Sequence, residues 1–192
     1  VVAACFLVAV YTWGFGFYAH GIYLVELRRS TGWTTAFVSL VITAYYIASA
    51  MLLPLVAKEM ARIGPAAVFL IGLALTAAGL VTLPHVTEPW QLVVVYGVLA
   101  AGWAHASIAP IVATVGQWFD RRRGLALNLA LSGATVSGLV IAPLLLALVE
   151  RHGFARGLTG LALAATVIVA TAVVAFVRRG PPPGPDHPDA RA

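Results

Sequence analysis

The sequence predicts an all-α membrane protein of six transmembrane helices, arranged as two inverted three-helix repeats. Three observations carry this expectation. First, 61% of the 192 residues are hydrophobic and 10% are charged, whereas a soluble domain carries roughly a quarter charged residues. Second, the charges gather in short breaks between apolar runs. Third, scarce residue types recur at a fixed offset in the two halves. The net charge of +5 is no nucleic-acid footprint, because the basic residues sit where positive loops flank membrane spans. The bilayer is the expected partner and no nucleic acid is.

A span needs about 20 mostly apolar residues. The sequence offers six, at 3–25, 36–57, 65–84, 91–116, 124–149 and 156–177. Each is expected to be helical, since hydrocarbon leaves no other way to satisfy the backbone. The chain starts at Val1 inside the first run, as a trimmed or partial sequence would, and that run is too long and too aromatic for a cleaved signal. Its single cysteine, Cys5, excludes an intrachain disulfide and reads as a packing thiol. Residues 1–179 form the expected bundle. The segment 180–192, dense in proline, reads as a disordered tail or the start of a linker.

Orientation follows from the basic residues. Lys58, Arg62, Arg121, Arg122, Arg123, Arg178 and Arg179 flank one side, against Arg28, Arg29, Arg151 and Arg156 on the other. That bias places both chain ends in the cytoplasm of a cell membrane, inner or plasma. The segment Gln117-Trp118-Phe119-Asp120-Arg121-Arg122-Arg123-Gly124 is the densest knot of charge. It reads as the cytoplasmic hinge between spans four and five.

The repeat rests on rare residues. Tyr18-Ala19-His20 matches Trp103-Ala104-His105, and Trp33 matches Trp118, at an offset of 85. Pro54-Leu55 matches Pro143-Leu144, and Arg62-x-Gly64-x-Ala66 matches Arg151-x-Gly153-x-Ala155, at an offset of 89. Three helices per copy is an odd number, so the second copy is inserted upside down. Inverted three-helix repeats build one half of many secondary transporters.

Polar residues inside spans are costly and mark cavities or helix contacts. Spans one, two, four and five hold most of them, so these four are expected to line a wet path while spans three and six face lipid. The pathway candidates are Tyr11, Tyr18, His20, Tyr45, Trp103, His105, Asn128 and Ser132. His105 is the most deeply placed ionisable group, and histidine titrates near physiological pH. No carboxylate or lysine falls within a span, so a proton relay or fixed counter-charge is expected only from His105. In span five, Ala126, Ala130, Ala134, Gly138 and Ala142 form a small-residue ladder suited to close helix approach. No metal-ligating cluster and no cofactor motif is found, and no enzymatic role is expected. An intramembrane protease using Ser132 and His105 would need those two side chains within hydrogen-bond reach.

Trp118-Phe119-Asp120-Arg121-Arg122-Arg123-Gly124-Leu125-Ala126-Leu127 resembles the W-F-x-R-R-R-G-x-A-x-G loop between helices four and five of the major facilitator superfamily. The likeness is to its monocarboxylate-transporter and oxalate/formate-antiporter-like branches. Asn128 stands where that pattern usually has glycine. Gly32-Trp33-Thr34-Thr35-Ala36 is similar to the G-W-S-R-A leading into helix two, with threonine for arginine. The loop between helices two and three departs most. Ala61 replaces the aspartate of G-x-x-x-D-R-x-G-x-R-R, and Ala66-Ala67 replace its basic pair; Glu59 is a partial substitute.

The resemblance implies a rocker-type secondary transporter of small organic anions, of which this chain is the N-terminal half. Its partners would be a monocarboxylate-like substrate, a proton or counter-anion, and a missing C-terminal half or a second copy. Arg62, Trp118, Asp120, Arg121, Arg122 and Arg123 would form the cytoplasmic gate and topology marker. The alternative is a six-helix protein that does not transport alone, or a homodimeric transporter.

Overall fold

The computed structural model describes residues 1–119 and 122–177, so Asp120, Arg121 and the expected tail at 180–192 lie outside the described residues. The described residues are helical almost throughout. The first run gives α1 (Val2–Trp13), a π-helical turn (Gly14–Tyr18) and α2 (His20–Thr31), which ends at Gly32 in the left-handed region. The first membrane run thus continues six residues past its expected end at 25, to a glycine that accepts the φ of 76° a helix stop demands.

The second and third runs form α3 (Thr35–Thr82), broken at Gly64, where φ 79° and ψ 165° are not helical. Proline at 65 disfavours helical geometry in the residue before it, and glycine tolerates the positive φ. Thr34 caps the start of α3, its Oγ1 accepting from the Phe37 N–H. Gly153, between α6 (Arg123–His152) and α7 (Phe154–Phe176), has nearly the same conformation, φ 81° and ψ 163°.

The expected span 91–116 is two helices, α4 (Pro89–Ala106) and α5 (Ile108–Trp118). Glu88 and Gln91 close a capping box at the start of α4, with Pro89 in the first turn. The break at Ser107 has a cause in sequence: Pro110 lacks an N–H and its ring would clash with the carbonyl of Ala106.

Among the described residues, four helices are long and apolar enough to cross a membrane, or five if the pair bent by 42° at Ala19 is one span. One of the four runs for 51 residues across the Gly64 break. At 1.5 Å per residue that is about 75 Å, more than twice the roughly 30 Å of hydrocarbon in a bilayer.

α1 lies against α6, α3 against α4, and α7 against both α3 and α6. The expectation that the third run faces lipid needs correction on one side. Val68, Phe69, Gly72, Leu73, Thr76 and Leu80 are buried, and Gly72 and Gly79 let α3 approach α4 closely: a Cβ at Gly72 would lie 2.9 Å from His105 Cβ. Small residues do this work between membrane helices, where apolar side chains gain little from leaving lipid. The small-residue ladder of α6 is also used in part. Its buried stripe runs Ala126, Ala130, Gly133, Ser137, Ile141, because strict steps of four drift about 40° each around a helix. The slip to Gly133 brings the stripe back under α1, where an added Cβ would meet the Phe6 carbonyl.

Candidate functional site

The π-turn in the first run organises the site. Within it the Ala19 N–H reaches the Gly14 carbonyl at 3.0 Å, one residue further than in an α-helix. A wide turn of this kind frees carbonyls that need other donors. Three tyrosines supply them. Tyr23 Oη donates to Phe15 O at 3.1 Å, while Tyr45 and Tyr46 Oη donate to Gly16 O at 3.1 and 3.2 Å. Gly16 has no room for a side chain, since a Cβ there would strike the Trp103 ring and lie 2.7 Å from Tyr45 Oη.

His20, just past the turn, sits among these rings. Its Nδ1 is 3.1 Å from Tyr46 Oη, its ring stacks on Tyr96, and Tyr23 and Tyr45 meet it edge-on. A cavity of about 10 Å³ lies beside it, bounded by Thr12, Gly16, His20, Tyr45, Thr76 and Trp103. That volume is close to one water-sized probe sphere. Thr12 Oγ1, which is buried there, has no partner among the described residues.

Trp103 links this cluster to a larger opening. Its indole packs on Trp13 with ring centroids 5.0 Å apart. Together they wall a cavity of about 650 Å³ with Leu53, Ser107, Val112 and Arg123, within the roughly 300–1,000 Å³ range of small-molecule sites. Arg123 reaches it because Gly116 is bare; a Cβ at Gly116 would lie 2.9 Å from the guanidinium. Arg123, expected only as a gate and topology residue, is therefore also a cation on a cavity wall. A count of polar residues inside spans leaves out how far an arginine at a helix start can reach.

His105, at the end of α4, makes two contacts. Nδ1 is 2.7 Å from the Ala101 carbonyl and Nε2 is 2.8 Å from Glu59 Oε2. Among the described residues it is the sole contact of this length between a basic and an acidic side chain. The expectation that no acid serves these helices is corrected: Glu59 lies two residues beyond the expected end of span two and folds back onto span four. An acid within one turn of a span end was the available signal.

The remaining candidates do not join one site. Tyr11 is buried and bonds Thr166 Oγ1 of α7 at 2.9 Å, away from the cavities. Tyr18 lies over Gly138, 3.0 Å from where its Cβ would be. Asn128 and Ser132 are on the exposed side of α6. Ser132 Oγ donates to its own Leu129 carbonyl at 2.8 Å, so Ser132 and His105 make no hydrogen-bonded dyad. Arg62 and Arg122 are exposed, and Trp118 is half-buried at the end of α5.

A family model described as Major Facilitator Superfamily matches residues 4–192. Among curated relatives, Monocarboxylate transporter 3 of Rattus norvegicus is 31% identical over 187 residues, covering 96% of this chain and 36% of its own length. Monocarboxylate transporter 11 of Homo sapiens is 34% identical over 128 residues, covering 65% of this chain and 27% of its own. MFS-type transporter pynF of Aspergillus niger is 32% identical over 96 residues, covering 50% and 22%. The chain thus spans about a third or less of the length of these relatives.

Proposed function

The chain belongs to the major facilitator superfamily, and from that premise we propose that it is the N-terminal half of a secondary active transporter for small organic anions of monocarboxylate type. Reading α1, the π-turn and α2 as one span, the helix broken at Gly64 as two, and α4 with α5 as one gives six spans, with both ends on the cytoplasmic side. The matching conformations of Gly64 and Gly153, 89 residues apart, support two inverted repeats. So does one correspondence of contacts: α1 packs on α6, and when the copies are exchanged the matching pair is α4 with the first part of α3, which meet through Tyr96 and Tyr45. Alternating access is then rocking of this bundle against a second one around a midplane site.

The observation that carries the substrate class is the cavity walled by Trp13, Trp103, Ser107 and Arg123. Apolar and aromatic walls with one cation suit a small anion bearing an apolar tail, the guanidinium taking the carboxylate in a two-pronged contact. The names of the monocarboxylate transporter relatives agree with this reading. Asn128 and Ser132, on the exposed side of α6, face the second half in this arrangement.

The experiment is exchange of labelled lactate in proteoliposomes holding the full-length protein that contains this chain. Saturable exchange, weakened by Arg123→Gln, is expected. Absence of exchange for lactate and for other small monocarboxylates would sink the substrate class. A parallel arm with this chain alone addresses the second reading, which the altered loop at 57–67 favours. Exchange by the chain alone would mean a six-helix protein working as pairs of copies.

A further inference from the structure

The His105 contacts permit a count of protons. A carbonyl only accepts hydrogen bonds, so the 2.7 Å contact with Ala101 O places a proton on Nδ1. The 2.8 Å contact between Nε2 and Glu59 Oε2 then needs one further proton between nitrogen and oxygen. Either Nε2 carries it and the pair is imidazolium with carboxylate, or Oε2 carries it and both groups are neutral. Both forms have the same net charge and the same number of protons. If that proton leaves and the Ala101 carbonyl keeps the other on Nδ1, a bare Nε2 lone pair faces a carboxylate, and no attraction holds the two atoms at this distance.

The surroundings say which group would move. His105 is buried and has Gly72 against its Cβ, so it cannot retreat toward the second part of α3. Glu59 is about a third exposed, so it has water to turn to and a route for the proton. The helix segment that bears it is loosely seated. A gap of about 70 Å³ separates Leu53, Val56, Ala57 and Met60 from Ala109, Pro110 and Ala113 of α5.

We propose that Glu59 and His105 form a proton-binding site that holds one exchangeable proton, and that its release to water unties the Gly64 end of the first part of α3 from α4. In the tied state the proton is shared as Nε2–H–Oε2. On release, His105 is left neutral with its proton on Nδ1, Glu59 is left as a carboxylate, and the site carries one more negative charge. Among the described residues, the other charged groups at this end are Lys58 and Arg62 on the helix of Glu59, and Arg122 and Arg123 at the start of α6. α1, α4, α5 and the second part of α3 present no other charged side chain there. None of the four cations forms an ion pair with Glu59 among the described residues. This site goes beyond the transport reading and does not depend on it.

The test is thiol labelling of Met60→Cys, with Cys5→Ala, in the full-length protein. Met60 is buried beside the gap. Rates with N-ethylmaleimide, divided by those of a free thiol at each pH, are compared between about pH 5 and about pH 9. The wild-type pair should give a corrected rate that rises several-fold with pH. Glu59→Gln, whose amide can donate to Nε2 without an exchangeable acid proton, should stay at the low rate throughout. Glu59→Ala, with no bond to make, should stay high throughout. Equal corrected rates in all three, or a wild-type rate flat in pH, would overturn the proposal even if Glu59→Ala folds poorly, because Glu59→Gln keeps the shape of the acid. A protein that does not exchange lactate yet shows this pattern would count against the transport reading alone.

Discussion

His20 and His105 stand 85 residues apart, each preceded by an aromatic residue and an alanine, and both are 7% exposed. Their neighbours separate them. His20 faces the Tyr46 hydroxyl, which gives its one proton to Gly16 O and accepts from Nδ1–H, so a neutral imidazole with its proton on Nδ1 satisfies the contact. His105 lies between a carbonyl and a carboxyl, and that pair requires a second proton. Inversion of a repeat can put the same residue type at two equivalent places, yet the partners decide its chemistry. The first site is an aromatic lock around a distorted helix; the second is an acid–base pair at the end of a hinged one.

The largest expected effect would break the lock at the first site. Gly16→Ala drives a methyl into the Trp103 ring and the Tyr45 hydroxyl, an overpacking that costs typically about 1–3 kcal/mol. Gly21, one turn on, has nothing within 4 Å of its would-be Cβ. Gly21→Ala should stay within about 0.5 kcal/mol of wild type. Thermal unfolding in detergent checks both. Equal melting temperatures for the two variants would mean that the π-turn is not held by close packing.

A second comparison sharpens the difference between the histidines. Under the proposed transport reading, His105→Gln in the full-length protein should flatten the pH dependence of exchange in proteoliposomes between about pH 5 and 8. Its amide can bond Glu59 but cannot carry the shared proton. His20→Gln should keep the shape of that profile whatever it does to the rate. If His20→Gln is the variant that flattens it, the roles given to the two sites are reversed.

Much of this was legible in the sequence and some was not, for physical reasons. The apolar runs marked where helices lie, and Gly64-Pro65 marked where α3 must break. That His20, Tyr45, Trp103 and His105 would need partners inside the bundle followed from the cost of polar groups in lipid, and each has such contacts. The π-turn was not legible, because two of the three tyrosine hydroxyls that stabilise it come from α3. Glu59 was read only as a partial substitute in the loop after span two, because it falls outside the expected span, although a carboxylate at a helix end can turn back along its neighbour. Tyr11 was misleading in the opposite sense. A tyrosine inside a span reads as a cavity group, but its hydroxyl is satisfied by Thr166 in a helix with few other polar residues. Sequence gives the inventory of polar groups in lipid; only the packing says which of them meet.

The smallest expected effect concerns the two hydroxyls on one carbonyl. Gly16 O accepts from both Tyr45 and Tyr46. Removing either donor leaves the other, so Tyr45→Phe or Tyr46→Phe alone should cost no more than about 1 kcal/mol. Tyr46→Phe should be the costlier of the two, since the Tyr46 hydroxyl also contacts His20 Nδ1. The double variant strands a carbonyl in apolar surroundings, where the loss is about 1–3 kcal/mol for the unsatisfied group alone. The double loss should therefore exceed the sum of the singles by more than the roughly 0.5 kcal/mol within which independent sites add. Melting temperatures of the four proteins close the cycle. Simple additivity would show that the freed carbonyl finds another donor, with water in the small cavity beside Thr12 the nearest available.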